Sequence, residues 1–192
     1  MGPDRSAAGR WQRLFDDLEA EYDAGAAAEL EIEVATRARG EWARLGLVDR
    51  LRPAIGHPLV LHTSGAAALR GTLCGLGPDW LLLAEAAGDE VVVPLASLLS
   101  VSGLGARSAA PGSEGQVVAR LALGHALRGI ARRRAGVAIT LLDGSVLHGT
   151  LDRVGADFVE LAEHPAGEPR RAPAVSGVRA LPFSALACVR AS

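Results

Sequence analysis

Lysine is absent from this chain: all 20 basic residues are arginine, in 192 residues carrying a formal net charge of −2. With so much alanine and glycine, this reflects the codon usage of a GC-rich bacterium rather than a phosphate-binding signature. Aromatic residues are scarce, at 4%, which removes much of the stacking surface that binders of single-stranded nucleic acid use. Cysteine is limited to Cys74 and Cys188, which match no metal-ligand spacing and fit a reducing compartment. No apolar run reaches the ~18 residues of a spanning helix. The longest stretches, WLLLAEAA and VVVPLASLLSVSGLG, are broken by charge, proline or glycine. The opening MGPDRSAAGR has no apolar core of a secretory signal. The expectation is a soluble cytoplasmic protein with no membrane partner.

What is present argues for a globular chain. Hydrophobic content is 49%, too high for disorder at so small a net charge. The charge is unevenly placed: Asp16 to Glu33 holds eight acidic residues and no basic one, while from Arg107 onward eleven arginines face seven acidic residues. Such asymmetry suits either a polyanion on the C-terminal half or helical faces that merely need solvating.

RWQRLFDDLEAEYDAG places Trp11, Leu14, Phe15, Leu18 and Tyr22 at helical spacing opposite an acidic face. It predicts an amphipathic helix over 1–25, closed near Gly25. Its apolar stripe, with Trp11, Phe15 and Leu18, is a candidate interaction surface. A second helical pattern runs from Ala26 to about Arg52, where Pro53 stops it. The periodicity then becomes that of short strands, punctuated by Ser64-Gly65, Gly77-Pro78-Asp79 and Gly88-Asp89. A small-residue linker covers 104–112. Ser113 and Gln116 form a capping box that predicts a helix to about Arg134, after which strands resume, with a hairpin signal at Asp143-Gly144.

The chain repeats itself. Gly71-Thr72-Leu73 recurs as Gly149-Thr150-Leu151, and Gly77-x-Asp79-Trp80 as Gly155-x-Asp157-Phe158. VPLASLLSV (93–101) recurs as LPFSALACV (181–189), and ARLGLVDRLR (43–52) as ARLALGHALR (119–128). The unit is a helix followed by about five short strands. Within it, Gly71 and Gly149 read as bends of the second strand. Gly77 and Gly155 read as positive-φ turn glycines, Asp79 and Asp157 as carboxylates capping their own turns, and Trp80 and Phe158 as plugs of the core. Leu82 aligns with Glu160, so one side of the first unit is expected to be covered by the N-terminal helix, the sister unit or another subunit. The last loop of the second unit is longer and carries Glu168, Arg170 and Arg171.

A helix followed by five short strands, the second bent at a Gly-x-hydrophobic phrase, resembles the Sm/LSm-like family of small barrels. The resemblance covers about 26–103 and 113–192. It implies an α+β chain: N-terminal helices plus two tandem helix-plus-five-strand, Sm-like (SH3-like) small β-barrels. That family binds RNA through an Asp six residues and an Asn ten residues after the bend glycine. Here those places hold Gly77 and Leu81, and Gly155 and Val159, so the RNA pocket does not carry over. A basic surface of Arg132, Arg133, Arg134, Arg153, Arg170, Arg171 and Arg179 is the alternative route to nucleic acid, set against a near-neutral charge.

No catalytic, metal or cofactor site emerges. The five histidines are scattered, and His57 and His62 sit five apart across a strand, on opposite faces. The expected function is a non-enzymatic scaffold that binds a protein partner or its own copies, without a small-molecule substrate. The alternative is an RNA- or DNA-binding regulator using the arginine-rich second unit.

Overall fold

The computed structural model describes residues 5–86, 88–113, 120–167, 170–171 and 175–191, and within the first helix no side chains for 5–17, 20, 23–24 and 26–28. The chain divides into two compact units, Met1–Leu45 and Gly46–Ser192.

The first unit is one helix, α1 (Arg5–Trp42). The expected stop at Gly25 does not occur. A mid-helix glycine costs about 1 kcal/mol relative to alanine, and the surrounding Ala- and Glu-rich stretch consists of good helix formers. Nor does the second helical pattern continue to Arg52. The second unit opens at Gly46, whose extended backbone places its N–H 3.0 Å from the Asp49 carboxylate. A short helix α2 (Leu47–Leu51) follows, and then a 3-10 turn containing Pro53.

Among the described residues there are ten strands, five per repeat: β1 (Pro58–Thr63), β2 (Leu69–Leu76), β3 (Trp80–Ala84), β4 (Glu90–Pro94), β5 (Leu98–Ser102), β6 (Gly136–Leu141), β7 (Val146–Val154), β8 (Phe158–Glu163), β9 (Gly177–Pro182) and β10 (Leu186–Ala191). They form one open antiparallel sheet in the order β5-β1-β2-β3-β4-β10-β6-β7-β8-β9. This overturns the two closed barrels implied by the resemblance. Self-closure would require β4 to pair with β5 and β9 with β10. Instead the 3-10 turn Leu95–Ser97 carries the chain from β4 to the far side of β1, and Phe183–Ala185 does the same in the second repeat. The edge of β4 is taken by β10. An exposed strand edge invites pairing, and here the sister repeat supplies it.

α3 is also shorter than expected. It spans Leu123–Arg133; of the capping-box pair, Ser113 is non-helical and Gln116 lies outside the described residues. Bulges in β2 after Leu73 and in β7 after Leu151 bend the second strand of each repeat, as a strand that curls must. Gly71 and Gly149 serve that close approach. A Cβ at Gly71 would lie 2.5 Å from the Ala84 carbonyl oxygen, and one at Gly149 2.2 Å from that of Ala162.

Two apolar clusters form the core, one under each repeat, and they interlock. Val92 of β4 belongs to the cluster of the second repeat, with Leu127, Ile139 and Leu161. Cys188 of β10 belongs to that of the first, with Leu61, Leu73 and Leu83. Burial pushes the Cys188 thiol pKa up, with a hydrogen bond to Thr140 pulling the other way. Only the thiolate is nucleophilic, so a raised pKa and burial both protect it. A thiol reagent should therefore label exposed Cys74 in the native protein and reach Cys188 only in step with unfolding. Raising the pH through the ordinary thiol range should not change this; labelling of both residues in the folded state would show that β10 is not covered on this face.

Candidate interaction surface

The junction between repeats is built from three kinds of contact. In the β4·β10 ladder Val189 stands opposite Val92, Arg190 opposite Val91 and Ala191 opposite Glu90. Successive side chains on a strand point to opposite faces, so Val92 and Val189 enter one core while Val91, Val93 and Cys188 enter the other. Each buried valine contributes roughly 1.5–3 kcal/mol. Across the ladder, Arg190 donates to both oxygens of Glu85 at 2.9 and 3.1 Å, and this hydrogen bonding raises the arginine pKa further. Arg133 pairs with Glu90 at 2.8 Å on a half-exposed surface, where such pairs contribute little.

The third contact is a clasp. The Asp79 carboxylate accepts the N–H of Leu123, the first residue of α3, at 2.8 Å, and the Trp80 indole N–H donates to the Leu121 carbonyl at 2.6 Å. The first repeat thus caps the helix of the second. Asp79 does not cap its own turn. Gly77 and Gly155 do not supply positive φ either. Their missing side chains make room for a ring: a Cβ would lie 2.1 Å from the Trp80 indole nitrogen at Gly77, and 2.3 Å from a Phe158 ring carbon at Gly155. Trp80 and Leu82 pack, half-buried, against the second repeat's core. The cover expected over Leu82 is therefore the sister repeat.

At the two ends of the sheet the equivalent positions lie open. Among the described residues, β5 pairs only with β1 and β9 only with β8. Aligned through the repeat, Leu99 of β5 corresponds to Ala187 of β10; it is 70% exposed, against 0% for Ala187. Leu47 of α2 corresponds to Leu123 of α3, at 45% against 4%. Val178 of β9 corresponds to Glu90 and is exposed, as is Phe158, the counterpart of Trp80. Phe158 therefore plugs no core, and among the described residues the Asp157 carboxylate accepts no hydrogen bond of the kind Asp79 accepts.

No family model, curated protein or solved structure matches this chain.

The remaining candidate residues separate by charge pairing. Arg170 meets Asp152 at 2.7 Å, Arg179 meets Glu163 at 2.6 Å, Arg153 stands 3.7 Å from Glu160, and Arg133 holds Glu90. The hydrogen bond that Arg170 donates to the Asp152 carboxylate raises the arginine pKa. Arg132, Arg134 and Arg171 are exposed, so the seven arginines do not form one unpaired patch. Leu18 is exposed on α1; the side chains of Trp11 and Phe15 lie outside the described residues, as does Glu168. His164, unassigned from sequence, is buried between the Thr150 hydroxyl at 2.9 Å and the Pro165 carbonyl at 3.1 Å. Among the described residues, no group of three or more His, Cys, Asp or Glu is placed to hold a metal ion, and no helix is long and apolar enough to cross a membrane.

Because Asp79 is an N-cap across the junction and Asp157 is not, the two equivalent acids should respond differently to removal. Asp79→Ala should destabilise the sheet unit by about 1 kcal/mol, the usual cost of losing an N-cap. Asp157→Ala should stay within about 0.5 kcal/mol of wild type, as surface changes do. Urea denaturation of both variants provides the comparison, and equal losses would remove the clasp from the account.

Proposed function

We propose that this protein is a non-enzymatic scaffold that joins polypeptide chains along the edges of its sheet. One observation carries this reading: two strand edges, β5 and β9, are open among the described residues while their repeat-equivalents, β10 and β4, are paired and buried. An edge offers a row of backbone donors and acceptors, which an incoming strand satisfies while the alternate side chains set specificity. Leu99, Leu47, Val178 and Phe158 add an apolar rim at the two ends. The nucleic-acid alternative draws less support, since four of its seven arginines face carboxylates.

Two assays separate these readings. Labelled ten-residue peptides of alternating apolar pattern should bind, and should slow amide hydrogen exchange in β5 or β9 without affecting β2 or β7. A fluorescent single-stranded RNA of random sequence should bind weakly, if at all, at near-physiological salt. Tight, salt-sensitive RNA binding with no protection of either edge would replace the scaffold with a nucleic-acid regulator.

A further inference from the structure

We infer that the first repeat holds a binding site for a small organic phosphomonoester, in the recess between α2, the start of β1 and the segment that follows β5. The inference does not rest on the scaffold reading. A cavity of about 560 Å³ opens there, with Arg50, His57 and Arg107 in its wall beside Pro53, Ala54 and Pro58. Its volume falls in the ~300–1,000 Å³ range of small-molecule sites. Among the described residues that line it, there is no acid to cancel the two arginines.

Hydrogen bonds fix the walls of this recess. Gly103 has φ +95° and lies so close to β1 that a Cβ would come 2.8 Å from the Pro58 carbonyl oxygen, so the chain leaves β5 hard against the start of β1. Leu104 then packs on the first repeat's core. Beyond it the segment is tied back to α2: the Ala109 N–H donates to the Asp49 carbonyl at 2.8 Å. The Arg50 guanidinium donates to the carbonyl of Gly105 at 2.8 Å and to that of Arg107. On the opposite wall, the Gly56 N–H donates to the Leu73 carbonyl at 2.7 Å, and the Leu73 N–H to the His57 carbonyl at 3.0 Å. A recess whose walls are set before a ligand arrives costs less to fill.

The sister repeat separates what the fold requires from what this recess adds. Aligned through the helix phrase, Arg50 corresponds to Ala126 and Ala54 to Ile130; aligned through the first strand, His57 corresponds to Ala135. Ile130 is buried and fills its part of the second core, while Ala54, also buried, leaves that volume open. The first repeat thus carries cations and space where the second carries apolar side chains that need neither. The chemistry then selects the ligand. A guanidinium presents forked donors that match phosphate oxygens, and the imidazole adds a further N–H. A phosphomonoester brings roughly two negative charges and three acceptor oxygens, which suits three such side chains better than a monocarboxylate does. Pro53, Ala54 and Pro58 form an apolar wall, which calls for an organic body beside the anion.

The test titrates the full chain with phenyl phosphate by isothermal calorimetry at near-physiological salt. Saturable binding of a single molecule per chain is expected, with benzoate and inorganic phosphate each several-fold weaker. Arg107→Ala and His57→Ala should each weaken phenyl phosphate about tenfold, as loss of a hydrogen bond to a charged group does. Both side chains are exposed, so neither change should move the thermal midpoint. Arg132→Ala, an exposed arginine outside the recess, should leave the affinity unchanged. No saturable binding, or binding that survives both substitutions in the recess, overturns the inference. Benzoate binding as tightly as phenyl phosphate overturns it in favour of a carboxylate site. Displacement of phenyl phosphate by random single-stranded RNA at equal phosphate concentration overturns it in favour of a nucleic-acid surface.

Discussion

The pairing of β4 with β10 is the interaction on which the rest of the sheet unit depends. It closes two strand edges at once, places Val92 in one core and Cys188 in the other, and brings the β2–β3 turn close enough for Asp79 to cap α3. Without it each repeat would have a second open edge and a core short of one strand's side chains. Domains of about 60 residues bury too small a fraction of their surface to be more than marginal on their own, and exchanging side chains across a shared ladder makes one larger core from two small ones.

That pairing also sets what is left over. Because the repeats associate fourth strand to fifth rather than about a two-fold axis, the sheet does not exhaust its own edges. A symmetric pairing of fourth with fourth would have left two identical ends. The observed arrangement leaves two different ones, and residues at the junction differ from their counterparts at the ends: Leu82 against Glu160, Trp80 against Phe158, Arg190 against Ser102. In each pair one residue is fitted to the fixed junction and its counterpart stands at an exposed end.

Much of the local structure was legible in the residues. Strand alternation, the turns at Gly65, Gly88 and Gly144 and the internal repeat follow from period and turn chemistry within short windows, and each found its strand or turn. The closure of each repeat into a barrel was not, because strand pairing across about a hundred residues leaves little local trace. One signal was available. EVVVP and LACVRA are apolar at successive positions, as strands buried on both faces are, whereas LLSVS and GVRALP mix polar residues into the run. Asp79 was misread for a related reason: a carboxylate in a Gly-x-Asp turn looks like a local cap, and its true acceptor role involves an N–H 44 residues away. Gly25 failed as a helix stop because one glycine cannot outweigh a run of alanine and glutamate.

The central claim, one sheet joined at β4·β10 and open at β5 and β9, is tested most directly by residue-resolved amide hydrogen exchange on dilute protein. The account predicts that ladder amides of β4 and β10 exchange only with global unfolding of the sheet unit, as slowly as those of β2 and β7, while outward-facing amides of β5 and β9 exchange fast. Edge-like exchange in β4 and β10, or equal protection of all four strands at the lowest concentration, would contradict it.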